Sequence, residues 1–295
     1  MKWCLLICLT ALYSCREQTP PAVVFQTDFG VKDGAVSAMK GVAHEVSNAI
    51  PLFDLTHEIP AYNIWEAAYR LNQTAMYWPA GTVFVSVVDP GVGTGRLPVV
   101  LKTKSGHFVV SPDNGTLGLL VENLGLESVR MIDTIKNRRL GSEGSHTFHG
   151  RDIFAYTAAR LAAGEISFEE VGPLLPKQEI IQIPYQRAVL AGDSIKGNIP
   201  VLDVQYGNAW SNIPDSLLTR AGIKHGDSLH IMIFNKADVI FSGSVPFVRT
   251  FGDVGDGKLL SYTNSLGNFS LAINMGNFAD SFKVASGADW SITVK

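Results

Sequence analysis

The run Thr82-Val83-Phe84-Val85-Ser86-Val87-Val88, followed by the loop Asp89-Pro90-Gly91-Val92-Gly93-Thr94-Gly95-Arg96, decides how the rest of the chain is read. The run is β-branched and apolar almost throughout, the composition of a central strand covered on both faces. Such a strand needs helices on both sides, which predicts an α/β layer. Upstream, Ala22-Val23-Val24-Phe25 is a second run of this kind and ends in the polar turn Thr27-Asp28-Phe29-Gly30. Between the two, Ala35, Met39, Val42 and Val46 recur at spacings of four, three and four, which places them on one helical face. A second helix is predicted over Ile64–Met76 and leads through Trp78-Pro79-Ala80-Gly81 into the first strand. Downstream, Val99–Thr103 and His107–Ser111 flank Ser105-Gly106 and read as a hairpin, and Ile153–Ala163 reads as a helix.

This alternation predicts an α/β N-terminal domain with a Rossmann-like sheet, residues 22–188. After Pro184 the texture changes. Short apolar stretches (Pro200–Val204, Leu229–Phe234, Val239–Phe241, Leu259–Tyr262, Phe269–Ile273) recur with Gly, Asn and Asp between them, the pattern of a mainly antiparallel β domain or small barrel, residues 189–295. A chain of 295 residues that is 46% hydrophobic and 17% charged has the composition of a packed protein, with two domains as the expectation. A net charge of −3, with no Lys/Arg run, excludes nucleic acid as an expected partner.

Residues 1–21 read as a leader and tether. Lys2, an apolar run from Trp3 to Leu12 and the ending Leu12-Tyr13-Ser14-Cys15 make an export signal too short to span a bilayer, which needs about 20 apolar residues. The ending resembles a bacterial lipobox. It predicts acylation of Cys15 and an exported lipoprotein, periplasmic or outer-membrane associated, touching the membrane only through its lipid. The three cysteines are Cys4, Cys8 and Cys15, so a chain matured at Cys15 has no disulfide and no cysteine-based metal site.

Ligands of α/β sheets bind beyond strand ends, which directs attention to three polar turns: Thr27-Asp28-Phe29-Gly30, the Asp89–Arg96 loop, and Ser111-Pro112-Asp113-Asn114-Gly115. The glycine-rich loop fits neither dinucleotide nor P-loop spacing. It offers a carboxylate directly after a buried strand and an arginine seven residues on. From the loop alone, a capped turn with a solvated arginine accounts for these residues equally well. A second centre is Thr147-Phe148-His149-Gly150-Arg151-Asp152, where a histidine beside glycine at a helix entrance is open to close approach and has the pKa of a general base. No histidine spacing points to a metal.

Seven motifs in order, TDFG from Thr27, DLTHEIP from Asp54, DPGVGTGR from Asp89, SPDNGTL from Ser111, TFHGRDIF from Thr147, YGNAWSNI from Tyr206 and NSLGNFSLAIN from Asn264, resemble the S-adenosylmethionine (SAM) hydroxide adenosyltransferase family, relatives of the adenosyl fluorinase and chlorinase. The resemblance implies hydrolysis of SAM to adenosine and L-methionine with no cofactor and no metal. It places Asp89, Arg96 and His149 around the water, Asp28 on the ribose hydroxyls and Tyr62 near the sugar and methionine. From the second domain it places Asp203 on methionine, Tyr206 and Asn208 on adenine, and Ser265 and the backbone near Met275 on the remaining contacts. It also implies a homotrimer whose sites lie between the N-terminal domain of one subunit and the C-terminal domain of the next.

A sulfonium leaves readily, whereas water is a poor nucleophile until it loses a proton, bulk water having a pKa of about 15.7. Arg96 is therefore expected to stabilise developing hydroxide, with Asp89 and His149 orienting it and one of them taking the proton. Two other functions compete. Halide transfer is disfavoured because fluorinase-type members have Tyr-Pro-Ala-Thr at Asp89-Pro90-Gly91-Val92 and a Tyr-Ser pair at His149-Gly150. A non-catalytic nucleoside-binding lipoprotein, or an enzyme for another adenosyl substrate, is suggested by the export signal, by Leu266 where fluorinase-type relatives have Arg, and by Asn63 where Asp is commoner.

Overall fold

A computed structural model describes residues 20–295. The N-terminal part contains β1 (Val23–Thr27), α1 (Ala35–Val46), β2 (Leu52–Thr56), α2 (Ile64–Ala75), β3 (Val83–Val87), β4 (Pro98–Thr103), β5 (Phe108–Pro112), α3 (Gly118–Leu124), β6 (Leu126–Met131) and α4 (Tyr156–Ala163). The strands form one sheet in the order β2-β1-β3-β5-β4-β6. The pairs β1–β2, β1–β3 and β3–β5 are parallel, while β4 runs antiparallel to both its neighbours.

Every residue of β1 and β3 is buried, as their unbroken apolar runs require. Side chains alternate between the faces. Val23, Phe25 and Val85 pack with Met39 and Ala43 of α1 and Ala158 of α4, whereas Val24 and Phe84 pack with Leu71 of α2 and Leu117 and Leu120 beside and in α3. The chain moves from β1 to β2 on one side and then returns to β3 on the other. This reversal leaves a crevice at the carboxyl ends of β1 and β3, the place where open α/β sheets bind ligands.

One helix differs from its expectation. Gly150–Ala155 forms a π-helical stretch and only Tyr156–Ala163 is α-helical. Asp152 and Phe154 within the π stretch are fully buried, and the wider turn carries both inward.

The C-terminal part contains β7 (Val189–Ala191), β8 (Ser194–Asn198), β9 (Val201–Asp203), β10 (Asn208–Pro214), α5 (Asp215–Arg220), β11 (Ser228–Asn235), β12 (Asp238–Pro246), β13 (Leu259–Thr263), β14 (Asn268–Ile273), α6 (Phe278–Phe282) and β15 (Trp290–Val294). Two antiparallel sheets, β12-β11-β15-β8-β7 and β13-β14-β10-β9, enclose one core in which Ile195, Ile231, Ile233 and Ile292 meet Ala209, Phe269 and Leu271. They approach at one edge, where the Asn198 backbone N–H donates to the Asn212 side chain at 2.7 Å. The two parts of the chain are joined by Trp65, whose indole N–H donates to the Pro200 carbonyl at 2.8 Å, and by Arg70, which donates to the Leu202 carbonyl at 3.2 Å.

Candidate active site

Asp28 follows β1 and Asp89 follows β3, so the crevice receives a carboxylate from each of two adjacent parallel strands. Arg96 reaches back across its own loop. Its Nε donates to both Asp89 oxygens at 2.9 and 3.0 Å, and its Nη2 also contacts Asp89 Oδ2. The same Nη2 donates to His149 Nδ1 at 3.1 Å. The ion pair is secluded, with side-chain exposures of 9% for Arg96 and 6% for Asp89, so water screens it little.

His149 directly precedes the π-helical stretch. Burial holds its pKa below the ordinary histidine value, the Arg96 charge adds to this, and Asp89 and Asp152 oppose it. Because Nδ1 accepts from a guanidinium, which only donates, the ring is in its neutral form. Behind it the Arg151 guanidinium lies 4.9 Å over the Phe148 ring and pairs with the fully buried Asp152. Phe148 in turn meets Phe29 edge-on. Gly150 sits close beneath this contact, an added Cβ standing 3.3 Å from the Phe29 ring and 3.5 Å from the Met39 sulfur.

The turn bearing Asp28 has its own support. His57, buried in the DLTHEIP motif, bridges the Thr27 hydroxyl and the Asp54 carboxylate, both at 2.8 Å, and Lys40 closes the chain onto Asp54 at 2.6 Å. Thr27 Oγ1 also accepts from the Phe29 N–H, and Gly30 N–H donates to the His57 carbonyl. Asp28 Oδ2 accepts from the Tyr62 backbone N–H at 2.9 Å. Tyr62 is held at φ 69° with 72% of its surface exposed, an uncommon conformation for a bulky residue and one concentrated at ligand sites. Asp28, Phe29, Tyr62, Val87, Asp89 and His149 line a cavity of about 250 Å³, with Arg96 behind its Asp89 wall.

The five C-terminal candidates meet elsewhere. Asp203, Tyr206, Asn208, Ser265 and Met275 line a second cavity of about 740 Å³ that shares no residue with the first. Asn208 Nδ2 donates to Asp203 Oδ2 at 3.2 Å across a turn in which Gly207 has φ 67°. Tyr206 and Met275 are 65% and 85% exposed, and Met275 also has a positive φ of 54°. Sequence reasoning missed three aromatic members of this cavity, Trp210, Phe251 and Tyr262. Trp210 and Tyr262 are both partners of Ser270, one on each side of β14, so they stand on one face of the sheet. Burial raises the Tyr262 hydroxyl pKa. Trp210 was accessible to sequence reading, lying two residues after Asn208 on the same strand; Tyr262 required the register. Among the described residues no group of three His, Cys, Asp or Glu side chains is arranged to hold a metal ion.

The N-terminal domain of SAM hydroxide adenosyltransferases matches residues 23–172 and the C-terminal domain residues 197–291. The chain belongs to the SAM hydroxide adenosyltransferase family. Its relatives include a protein of Salinispora tropica named (R)-S-adenosyl-L-methionine hydrolase, 35% identical over 92% of this chain and 98% of the relative. A protein of the same name from Methanocaldococcus jannaschii is 29% identical over 95% of this chain and 94% of its own. The crystal structure of an uncharacterised conserved protein from Thermotoga maritima superposes with a TM-score of 0.83 at 31% identity, covering 92% of this chain and 99% of that one.

The family corrects the reading of the N-terminus. The relatives are named as SAM hydrolases, not as lipoproteins, so the signal-peptide and lipoprotein expectations find no support in them. A short apolar run ending in cysteine is a compositional pattern outside the shared fold, and it was given more weight than it carries. The leader and Cys15 lie outside the described residues.

Proposed function

We infer that this protein is an adenosine-forming SAM hydrolase, with the (R)-sulfonium epimer named for its relatives as the substrate. No cofactor takes part. The observation that carries the reading is the buried Asp89–Arg96 pair offering a guanidinium N–H to a neutral histidine at the ends of β1 and β3. Asp28 and Tyr62 hold the ribose in the same crevice. Water displaces the direct Arg96–His149 hydrogen bond, accepting from Arg96 Nη2 and donating to His149 Nδ1. An imidazole is ordinarily a stronger base than a carboxylate, so His149 is assigned as the proton acceptor once water has displaced Arg96 from Nδ1. The water oxygen bonds to C5′ as the C5′–S bond breaks. The bonding pair leaves on sulfur as the thioether of methionine, and His149 passes its proton to solvent.

Asp203, Tyr206, Asn208, Ser265 and Met275 receive the adenine and methionine portions. Because the two cavities of one chain have no wall in common, the reading includes a homotrimer in which the C-terminal cavity of one subunit covers the crevice of its neighbour. Halide transfer is disfavoured by the Asp89 carboxylate, whose charge opposes an anion beside it. The test is incubation with an epimeric mixture of SAM in excess chloride, followed by product chromatography. Adenosine and methionine in equal amounts are expected. A dominant 5′-chloro product, or tight adenosine binding with no turnover of either epimer, overturns the reading.

A further inference from the structure

The Ser111-Pro112-Asp113-Asn114 turn has no place in the chemistry above, yet it touches both ends of the loop that performs it. The loop leaves at the end of β3 and returns along β4. In the sheet order, β5 lies between those two strands, pairing parallel with β3 and antiparallel with β4. The turn that ends β5 is therefore flanked by the start of the loop on one side and its finish on the other.

Both contacts are made. Asn114 Nδ2 donates to the carbonyl of Val88, the residue before Asp89, at 2.8 Å. The Asp113 backbone N–H donates to the carbonyl of Leu97, the residue after Arg96, also at 2.8 Å. The turn is itself fixed: Asn114 Oδ1 accepts from the Thr116 hydroxyl at 2.8 Å, and the buried Asp113 carboxylate accepts from the Ile181 N–H at 3.1 Å. Inside the loop, Val92 N–H to the Asp89 carbonyl and Thr94 N–H to the Gly91 carbonyl are turns within the loop itself and anchor it to nothing else. Pro90, Gly93, Thr94 and Gly95 are solvent exposed.

We propose that Asn114 is a positioning residue for the reaction, holding the start of the loop through Val88 while Asp113 holds its finish, so that the Asp89–Arg96 pair meets His149 at hydrogen-bond distance. The proposal rests on the hydrolase reading and adds to it a residue that touches no reacting atom. Its force comes from the tolerance of the chemistry, since a displacement of about 1 Å at a reacting group costs on the order of 100-fold in rate. Asn114 is suited to this task by having two functions on one amide. The oxygen is spent on Thr116, which fixes the amide plane, and that plane aims the N–H at Val88.

The experiment is Asn114→Ala in the full chain, with kcat and KM for SAM and the titration of the His149 ring by NMR, its resonance assigned with His149→Gln. The expected result is a fall in kcat of about 10- to 100-fold with KM within about two-fold of the parent. The His149 titration should move up toward the free value, because burial and Arg96 together hold it down. Both readouts must move. A kcat loss with an unmoved histidine, which general destabilisation would give, or a wild-type kcat, overturns the proposal. Should Asn114→Ala not fold, Asn114→Asp, which keeps the acceptor for Thr116 and removes the donor to Val88, decides by the rate alone. Asp89→Asn separates this from the underlying reading. Wild-type turnover there removes the catalytic assignment, whereas its loss beside an unaffected Asn114 variant removes only the positioning role.

Discussion

Arg96 Nη2 lies 3.1 Å from Nδ1 of His149. A guanidinium only donates, so Nδ1 carries the lone pair and the ring hydrogen sits on Nε2. The basic nitrogen of the histidine thus faces the same cation that would stabilise hydroxide, and one water that parts them and bonds to both meets both requirements.

Activity should keep its basic form to unusually low pH. An ordinary histidine titrates near 6.5, and burial, aided by Arg96, holds His149 lower. The acid limb of kcat/KM is expected to have its midpoint below about 6.5, and a midpoint above that value contradicts the assignment. Stability has a matching sign. Between the folded and unfolded values the unfolded chain binds more protons, so stability rises with pH there. It is lost as the solution is acidified from about 6.5 through the folded value, which denaturant titrations across that window would detect.

Asp89→Ala and Arg96→Ala should each cost about 100- to 1,000-fold in kcat. Each also leaves a charge buried without its partner, a loss of about 3–5 kcal/mol. The double replacement Asp89→Asn with Arg96→Gln removes both charges together. It is expected to recover much of the stability and none of the activity, measured as urea midpoints beside turnover.

His57 reaches the substrate only through Thr27 and the Asp28 turn. His57→Leu leaves the buried Thr27 hydroxyl without that partner, costing about 1–3 kcal/mol. With Asp28 proposed to bind the ribose, KM for SAM is expected to rise about ten-fold while kcat changes less. A fall in kcat alone would place His57 in a different role.

Gly207 joins Tyr206 to Asn208 with φ 67°, and an added Cβ would fall 1.9 Å from Asn277 Oδ1. Gly207→Ala should cost at least about 1–2 kcal/mol from the left-handed backbone alone. The Asp203–Asn208 turn must also shift, so calorimetry should show loss of adenosine binding beside a lowered Tm.

If each site joins two subunits, inactive variants should complement. Asp89→Asn disables one half of a site and Asp203→Ala the other. After subunit exchange in an equal mixture, about one quarter of the sites of a cyclic trimer combine two intact halves, and activity should return to that extent. Sites built within single chains would show none.

Much of the fold was legible because its signals are local. The unbroken apolar runs at Val23 and Val83 could only be covered strands, and the spacing around Met39 could only be a helix with one buried face. Leu52–Thr56 escaped notice because its residues are half exposed and mixed, and it is a strand by virtue of its pairing with β1. The π-helical stretch after His149 escaped because its sequence reads as ordinary helix; packing of Asp152 and Phe154 selects the wider turn. The leader is a local pattern with no support in the relatives' names, and it lies outside the described residues.

By itself the sequence determined which chemical groups follow which strands: Asp28 after one covered run, Asp89 and Arg96 around a glycine-rich loop after another, His149 beside Gly150. Order along a chain cannot say which strand ends are neighbours. Only the tertiary structure, by setting β1 beside β3 and β5 between β3 and β4, brought the carboxylates into one crevice and gave Asn114 a hold on the loop. It also set Asp203, Tyr206, Asn208, Ser265 and Met275 in a separate cavity, because each part of the chain closes its own hydrophobic core.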